Sequence, residues 1–106
     1  MSEKVTAEEI QSLARELQLV RNQIQTASSQ VSEYGITIEA LVNQDPERPV
    51  FRSLGNILLE VEDRDSLTSE LGEAKNSLED HLNRLIERED NLREQYEEKA
   101  SLFESG

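Results

Sequence analysis

The amino-acid sequence predicts a mainly α protein: a long antiparallel coiled coil of two helices with a β-hairpin between them. Segment 7–43 repeats apolar residues at alternating spacings of three and four, and segment 66–103 repeats leucine every seven residues in a looser register; both patterns are typical of paired helices. Prolines and a Gly-Asn pair separate the two segments. Only 35% of the 106 residues are hydrophobic, which is little for a globular core. We therefore expect one domain, 1–106, with its apolar residues in narrow seams.

The first helix is predicted to begin after Thr6, because a Thr followed three residues later by Glu9 forms a capping box. Gly35 is its weak point and costs about 1 kcal/mol relative to Ala. The apolar residues that define the face toward the second helix, here called the seam, are Ile10, Leu13, Leu17, Val20, Ile24, Ala27, Val31, Tyr34, Ile38 and Leu41.

A hairpin is predicted over residues 50–61. Pro46 and Pro49 end the first helix, since proline disfavours helix at the residue before it. Two β-prone runs then flank Gly55 and Asn56, a pair that forms tight hairpin turns. An isolated hairpin is marginal in water, so we expect other chains to cover both of its faces. One face carries Val50, Leu54, Ile57, Leu59 and Val61, and the other carries Phe51, Ser53 and Leu58.

The second helix is predicted to begin near Asp65 or Ser66, either of which can cap it, and to run to residue 103. Lys75 and Glu89 occupy seam positions where an apolar residue is expected. Glu89 stands four residues before Arg93, a spacing that favours an ion pair within a helix. The apolar seam residues are Leu67, Leu71, Leu78, Leu82, Leu85, Leu92, Tyr96 and Phe103.

Two helices of nearly equal length, joined through a short hairpin segment, are predicted to pack antiparallel. Each helix is on the order of 55 Å long at about 1.5 Å per residue. The pair forms an arm with the hairpin at one end. Met1 and Gly106 are expected together at the other end, the free tip of the arm.

The composition disfavours several classes of function. A formal charge of -12 opposes binding to nucleic-acid phosphates or to anionic lipids, and it suits a halophilic cytoplasm. No cysteine is present, and one histidine, His81, is too few for a metal site. The sequence lacks a phosphate loop, a signal peptide and a membrane span. We therefore expect a soluble, cytoplasmic protein that is not an enzyme and holds no cofactor.

The hairpin segment, RPVFRSLGNILLEV at residues 48–61, resembles the beta class of the prefoldin family. The shared features are an aromatic residue after the valine, a basic residue next, and Gly-Asn before an apolar strand. The heptads that follow also resemble this family, and the likeness extends over essentially the whole chain. A single hairpin is the mark of the beta class, because alpha-class chains carry two.

This resemblance implies a molecular chaperone. The family forms hexamers of two alpha-class and four beta-class subunits, whose hairpins join in a β-barrel and whose arm tips hold unfolded proteins and pass them to a group II chaperonin. On this chain the implied oligomerisation residues are Val50, Phe51, Leu54, Gly55, Asn56, Ile57, Leu58, Leu59 and Val61. The implied client-binding tip comprises Val5, Ile10, Leu13, Leu102 and Phe103.

One alternative stays open at the level of the sequence. A structural coiled-coil scaffold or adaptor that docks one defined partner would show the same heptads. Such a protein has no need of a hairpin that is apolar on both faces, so the hairpin favours the chaperone.

Overall fold

A computed structural model describes residues 5–105 of the chain. Its elements follow in the order α1 (Ala7–Asn43), β1 (Phe51–Leu54), β2 (Ile57–Glu60) and α2 (Arg64–Ser105). The two helices pack along each other into an arm, and the molecule measures 72 × 25 × 18 Å. The predicted fold class is confirmed. The expectation that Met1 and Gly106 meet at the tip lies outside the described residues.

The first helix begins and ends where local chemistry requires. The Thr6 hydroxyl accepts a hydrogen bond from the Glu9 amide at 3.1 Å, which satisfies one of the amides left free in the first turn. After the helix ends at Asn43, Asp45 organises a turn. Its carbonyl accepts from the Arg48 amide at 3.0 Å and its carboxylate accepts from the Glu47 amide at 2.9 Å. This turn leads the chain into the hairpin.

The hairpin has the register that the sequence predicts. Leu54 pairs with Ile57, so Gly55 and Asn56 form the turn. Gly55 has a φ of 59°, which lies in the left-handed region that glycine adopts without steric cost. The Val61 amide donates to the Val50 carbonyl at 2.8 Å. The ladder therefore extends one residue pair beyond the strands toward the arm.

The second helix starts earlier than predicted, at Arg64. Its cap is Asp63, whose carboxylate accepts from the Ser66 amide at 3.0 Å. The predicted caps, Asp65 and Ser66, were wrong, because Asp65 lies inside the first turn and Ser66 is the donor. The helix also runs two residues beyond 103, to Ser105, whose hydroxyl donates to the Ser101 carbonyl at 2.9 Å.

The seam of α1 is confirmed, since every one of its ten predicted residues is buried or half-buried. The buried cluster lies on the side of the arm's middle that faces the free tip, where Leu17, Val20 and Ala27 pack with Leu85 and Leu92. Leu67 is buried separately, near the hairpin. Two halves of the arm can therefore be distinguished. We call 7–27 with 82–105 the tip half and 28–43 with 64–81 the hairpin half.

Ion pairs between the helices also lie in the tip half. Glu9 pairs with Lys99 at 3.5 Å, Glu16 with Arg88 at 3.3 Å and Arg21 with Glu89 at 3.2 Å. Residues that are far apart in the sequence thus face one another, as antiparallel packing requires. All three pairs are compatible with one antiparallel register of the two helices.

Glu89 occupies its seam position by using a partner on the other helix. One carboxylate oxygen accepts from Nε of Arg21 at 3.3 Å and from Nη2 at 3.2 Å. The predicted pair of Glu89 with Arg93 is wrong, because Arg93 contacts Asp90 at 3.1 Å instead. The Arg21 guanidinium thus offers two N–H donors to one charged oxygen across the seam, a charge-assisted contact.

Candidate functional site: the exposed hairpin and the arm tip

Both faces of the hairpin are exposed. By the observed register, one face carries Val50, Arg52, Leu54, Ile57, Leu59 and Val61, and the other carries Phe51, Ser53, Leu58 and Glu60. Leu58 is the most exposed of the hairpin's apolar residues, at 68%, and Phe51, Leu54, Ile57 and Leu59 are also exposed. Val50 and Val61 are half-buried at the base of the hairpin. A contiguous apolar surface of this kind marks an interaction site.

The outer edges of both strands offer backbone hydrogen-bonding groups. The bond between Val61 and Val50 fixes which residue pairs exchange hydrogen bonds within the ladder. In an antiparallel pair the intervening residues direct their amides and carbonyls outward. Here those residues are Phe51 and Ser53 on β1, and Leu58 and Glu60 on β2. The hairpin can therefore pair with a further strand on either side.

Polar contacts connect the hairpin to the arm. Arg52 on β1 forms an ion pair with Glu70 on α2 at 3.5 Å. At the junction with α1, Nη1 of Arg64 donates to the Asp45 carbonyl at 3.2 Å. The residue pattern could not predict these contacts, because they depend on how the hairpin turns relative to the helices. They orient the exposed hairpin at the end of the arm.

The opposite end of the arm, residues 5–13 with 96–105, contains the second predicted site, and we call it the arm tip. The predicted residues differ in their environment. Leu102 and Phe103 are 55% and 49% exposed, whereas Val5 and Ile10 are half-buried and Leu13 packs against the buried cluster. Leu13 therefore belongs to the seam as much as to the tip.

A shallow groove brings part of the predicted tip together. Ile10 and Phe103 both line it, one from each helix, with Tyr96 and Ala100 beside them. Tyr96 and Ala100 were not predicted as tip residues, although the heptad that contains Phe103 already placed Tyr96 one step before it. Leu102 does not line this groove and is exposed beside it. The tip thus presents an apolar groove with an exposed leucine at its border.

The described residues offer little chemistry beyond these surfaces. Within residues 5–105, no group of three or more His, Cys, Asp or Glu side chains is placed to hold a metal ion. His81 is exposed and lies in a polar groove beside Gln23 and Gln30. Among the same residues, no helix is long and apolar enough to cross a membrane. The arrangement is suited to binding other polypeptides.

Comparison with known proteins agrees with this geometry. A family model described as prefoldin subunit matches residues 5–101. The chain is 30% identical over 97 residues to prefoldin subunit beta of Archaeoglobus fulgidus, covering 85% of this chain and 83% of that protein. It is also 30% identical over 88 residues to prefoldin subunit beta of Thermoplasma volcanium, covering 83% and 71%.

The fold is likewise similar to a solved structure. The crystal structure of the prefoldin beta subunit from Thermococcus strain KS-1 superimposes with a TM-score of 0.82, over 98% of this chain and 96% of that one. The sequence identity in this comparison is 22%. Similarity at that level supports the fold: two long helices with a hairpin between them.

Proposed function

Because the chain belongs to the prefoldin family, we propose that it assembles through its hairpin and holds unfolded proteins at its arm tip. Family membership makes it a chaperone subunit of a hetero-oligomeric complex. The finer proposal is a cytoplasmic hexamer in which four copies of this beta-class chain join two alpha-class subunits. Clients are then handed to a group II chaperonin.

The single observation that supports the assembly step is the hairpin, apolar on both faces and exposed along both edges. Two strands alone bury too little surface to be stable in water. Pairing with the strands of neighbouring subunits would satisfy the outward backbone groups and bury Leu58 and Phe51 on one face. Ile57 and Leu59 would be buried on the other. A barrel of several hairpins accomplishes both at once, since closure leaves no free edge.

The arm tip supports the holding step. Leu102 and Phe103 are exposed because they lie at the end of a coiled coil, where there is little further seam to cover them. Each Å² of apolar surface that a client covers contributes roughly 25 cal/mol, so a single tip binds weakly. Several arms on one hexamer raise the effective concentration and hold a flexible chain together. Release then occurs by transfer to the chaperonin.

The test of assembly replaces Leu58 with Asp. The carboxylate would be buried without a partner in the barrel, a cost large enough to prevent association. The matched control is Leu19→Asp, which adds the same charge at an exposed leucine on α1. Native mass is measured for each variant after mixing with an alpha-class subunit from the same cell.

The parent chain and Leu19→Asp are expected to form hexamers, whereas Leu58→Asp remains unassembled. A hexamer formed by Leu58→Asp would overturn the proposed role of the hairpin. Failure of both variants would show that assembly responds to added charge anywhere on the chain, and the assignment of the interface would then be withdrawn.

A further inference from the structure

The two halves of the arm are held together by different means. In the tip half, Leu17, Val20, Leu85 and Leu92 are buried, and three ion pairs link the helices. In the hairpin half, no described residue of α1 beyond Ala27 is buried, and its seam residues are half-buried. On α2, Leu67 is the buried residue described between positions 64 and 81. Among residues 28–43 and 64–81, no ion pair joins the two helices.

Two helix-interior glycines, one on each helix, lie at nearly the same level of this weaker half. A Cβ placed on Gly35 would lie 3.8 Å from Cε and Nζ of Lys75 on the opposite helix. Gly72 precedes Lys75 by three residues, which is less than one helical turn, or about 4.5 Å along the axis. Both helices therefore contain their poorest helix former at the same height of the arm. Lys75, a charged residue at a seam position of α2, reaches Gly35 on α1 with the end of its side chain.

Packing does not require glycine at either position. Gly35 would place an added Cβ at ordinary contact distance from a flexible lysine, and around Gly72 no described heavy atom lies within 4 Å of the added Cβ. Neither residue has a positive φ, because the glycine with a positive φ in the described part of the chain is Gly55. The loss of helix propensity at Gly35 and Gly72 is therefore uncompensated by any gain in packing.

From these observations we infer that the arm contains a hinge at the level of Gly35 and Gly72. The tip half moves as a stiff rod about this point, and the hairpin stays fixed to the start of α2 through Arg52 and Glu70. Local opening occurs where few groups are buried and helix propensity is low. Motion at the hinge varies the distance between tips of neighbouring arms without breaking the interhelical ion pairs. The hinge itself is independent of the proposed function.

The hinge is tested by measuring how widely α1 bends. The chain has no cysteine, so Ser12→Cys and Ala40→Cys, both at exposed positions, take two spin labels at defined places. These sites are separated by 28 residues, or about 42 Å of helix. Labelled chain is diluted into an excess of unlabelled chain, and the distribution of label distances is recorded by pulsed electron resonance in the purified full chain, without a partner subunit.

The decisive variant carries Gly35→Ala and Gly72→Ala. The control carries Ser29→Ala and Asn91→Ala, at two exposed helix positions that are distant from both glycines. These substitutions raise helix propensity outside the proposed hinge. In the alanine variant the distance distribution is expected to narrow, and amide exchange across 31–39 and 68–76 slows about fivefold per glycine replaced. The control is expected to leave both unchanged.

An unchanged distribution in the glycine variant would overturn the hinge. Equal narrowing in the control would also overturn it, because stiffening would then be a general response to alanine. Neither readout involves a client or a chaperonin, so failure of the proposed function would leave this result standing, and the reverse also holds.

Discussion

The ion pair of Arg21 with Glu89 is predicted to matter more than its neighbours because its carboxylate is largely buried. The side chain of Glu89 is 17% exposed, whereas that of Arg21 is 49% exposed. Arg21→Ala removes both N–H donors and leaves the carboxylate facing the seam without a partner. An unsatisfied buried group costs about 1–3 kcal/mol. Since Glu89 retains some contact with water, we expect about 1.5 kcal/mol at this site.

The comparison variant is Glu16→Ala, which breaks the pair with Arg88. Both of those side chains are about half exposed, and pairs of this type contribute about 0.2–1 kcal/mol. In 1 M salt, where the screening length falls to about 3 Å, the effect of Glu16→Ala is expected to vanish. The effect of Arg21→Ala should largely persist, because the Glu89 carboxylate, left without a partner, remains largely buried.

A third variant, Glu89→Leu, separates burial from pairing. Leucine fits the heptad at this seam position, and Arg21 is exposed enough to turn toward water. Replacing a buried ion with a hydrophobic residue of similar size is often neutral or stabilising, so we expect a gain of up to about 1 kcal/mol. Thermal unfolding of the purified chain at one fixed protein concentration measures all three variants, since association shifts apparent stability.

At about 4–8 °C per kcal/mol for a domain of this size, Arg21→Ala should lower Tm by about 6–12 °C. The reasoning is refuted if Arg21→Ala costs no more than Glu16→Ala, or if Glu89→Leu is less stable than the parent. The first result would mean that the seam tolerates a bare carboxylate at position 89, and the second would mean that the paired carboxylate stabilises the seam more than leucine does.

Three further predictions concern the tip, the second cap and the hairpin turn. Replacing Leu102 and Phe103 with Ser should make the protein less able to suppress the aggregation of a chemically unfolded test protein, whereas Leu19→Ser should have no effect. Light scattering at equal hexamer concentration measures the aggregation. Asp63→Ala should destabilise α2 by about 1 kcal/mol, seen in urea unfolding; no change would remove Asp63 as the cap. Gly55→Ala should weaken assembly about five- to thirtyfold, because a left-handed residue other than glycine costs about 1–2 kcal/mol. Gly55→Asn should weaken it less, and equal losses would contradict the turn argument.

The sequence predicted the elements whose signals are local. Spacings of three and four located the seam of α1, and the seven-residue repeat of leucine located that of α2 up to Tyr96, whereas Phe103 is exposed. Gly55 with Asn56 set the hairpin register, because the side-chain period of a strand is two and a turn of two residues fixes the pairing. Thr6 was identified as a cap from its capping box. Each of these inferences needs only a few neighbouring residues.

The contacts that the sequence could not predict depend on which residues the fold brings close together in space. Asp63, Asp65 and Ser66 can all cap a helix, and only the backbone path decides which carboxylate meets a free amide. Glu89 had a suitable partner four residues away, yet Arg21, 68 residues distant, binds it. The exact register of α1 against α2 fixes that choice.

At the tip, the pattern placed Leu13 and Phe103 in one site. Their burial differs, however, because only Phe103 lies beyond the last residues that the opposite helix covers well. For the same reason, the groove that Tyr96 and Ala100 help to line was not predicted from the sequence. Where a coiled coil stops burying its seam is a property of both helices together.

The nested pairing of the two helices has a consequence for synthesis on the ribosome. Asp45 and Arg64 are 19 residues apart, Glu16 and Arg88 are 72 apart, and Glu9 and Lys99 are 90 apart. At about 5–20 residues per second, Glu9 waits about 5–18 s for its partner to be made. The exposed hairpin is complete well before then, while α1 still lacks the helix that covers its seam. The growing chain therefore presents its apolar hairpin before α2 covers the seam of α1, and its arm closes from the hairpin outward.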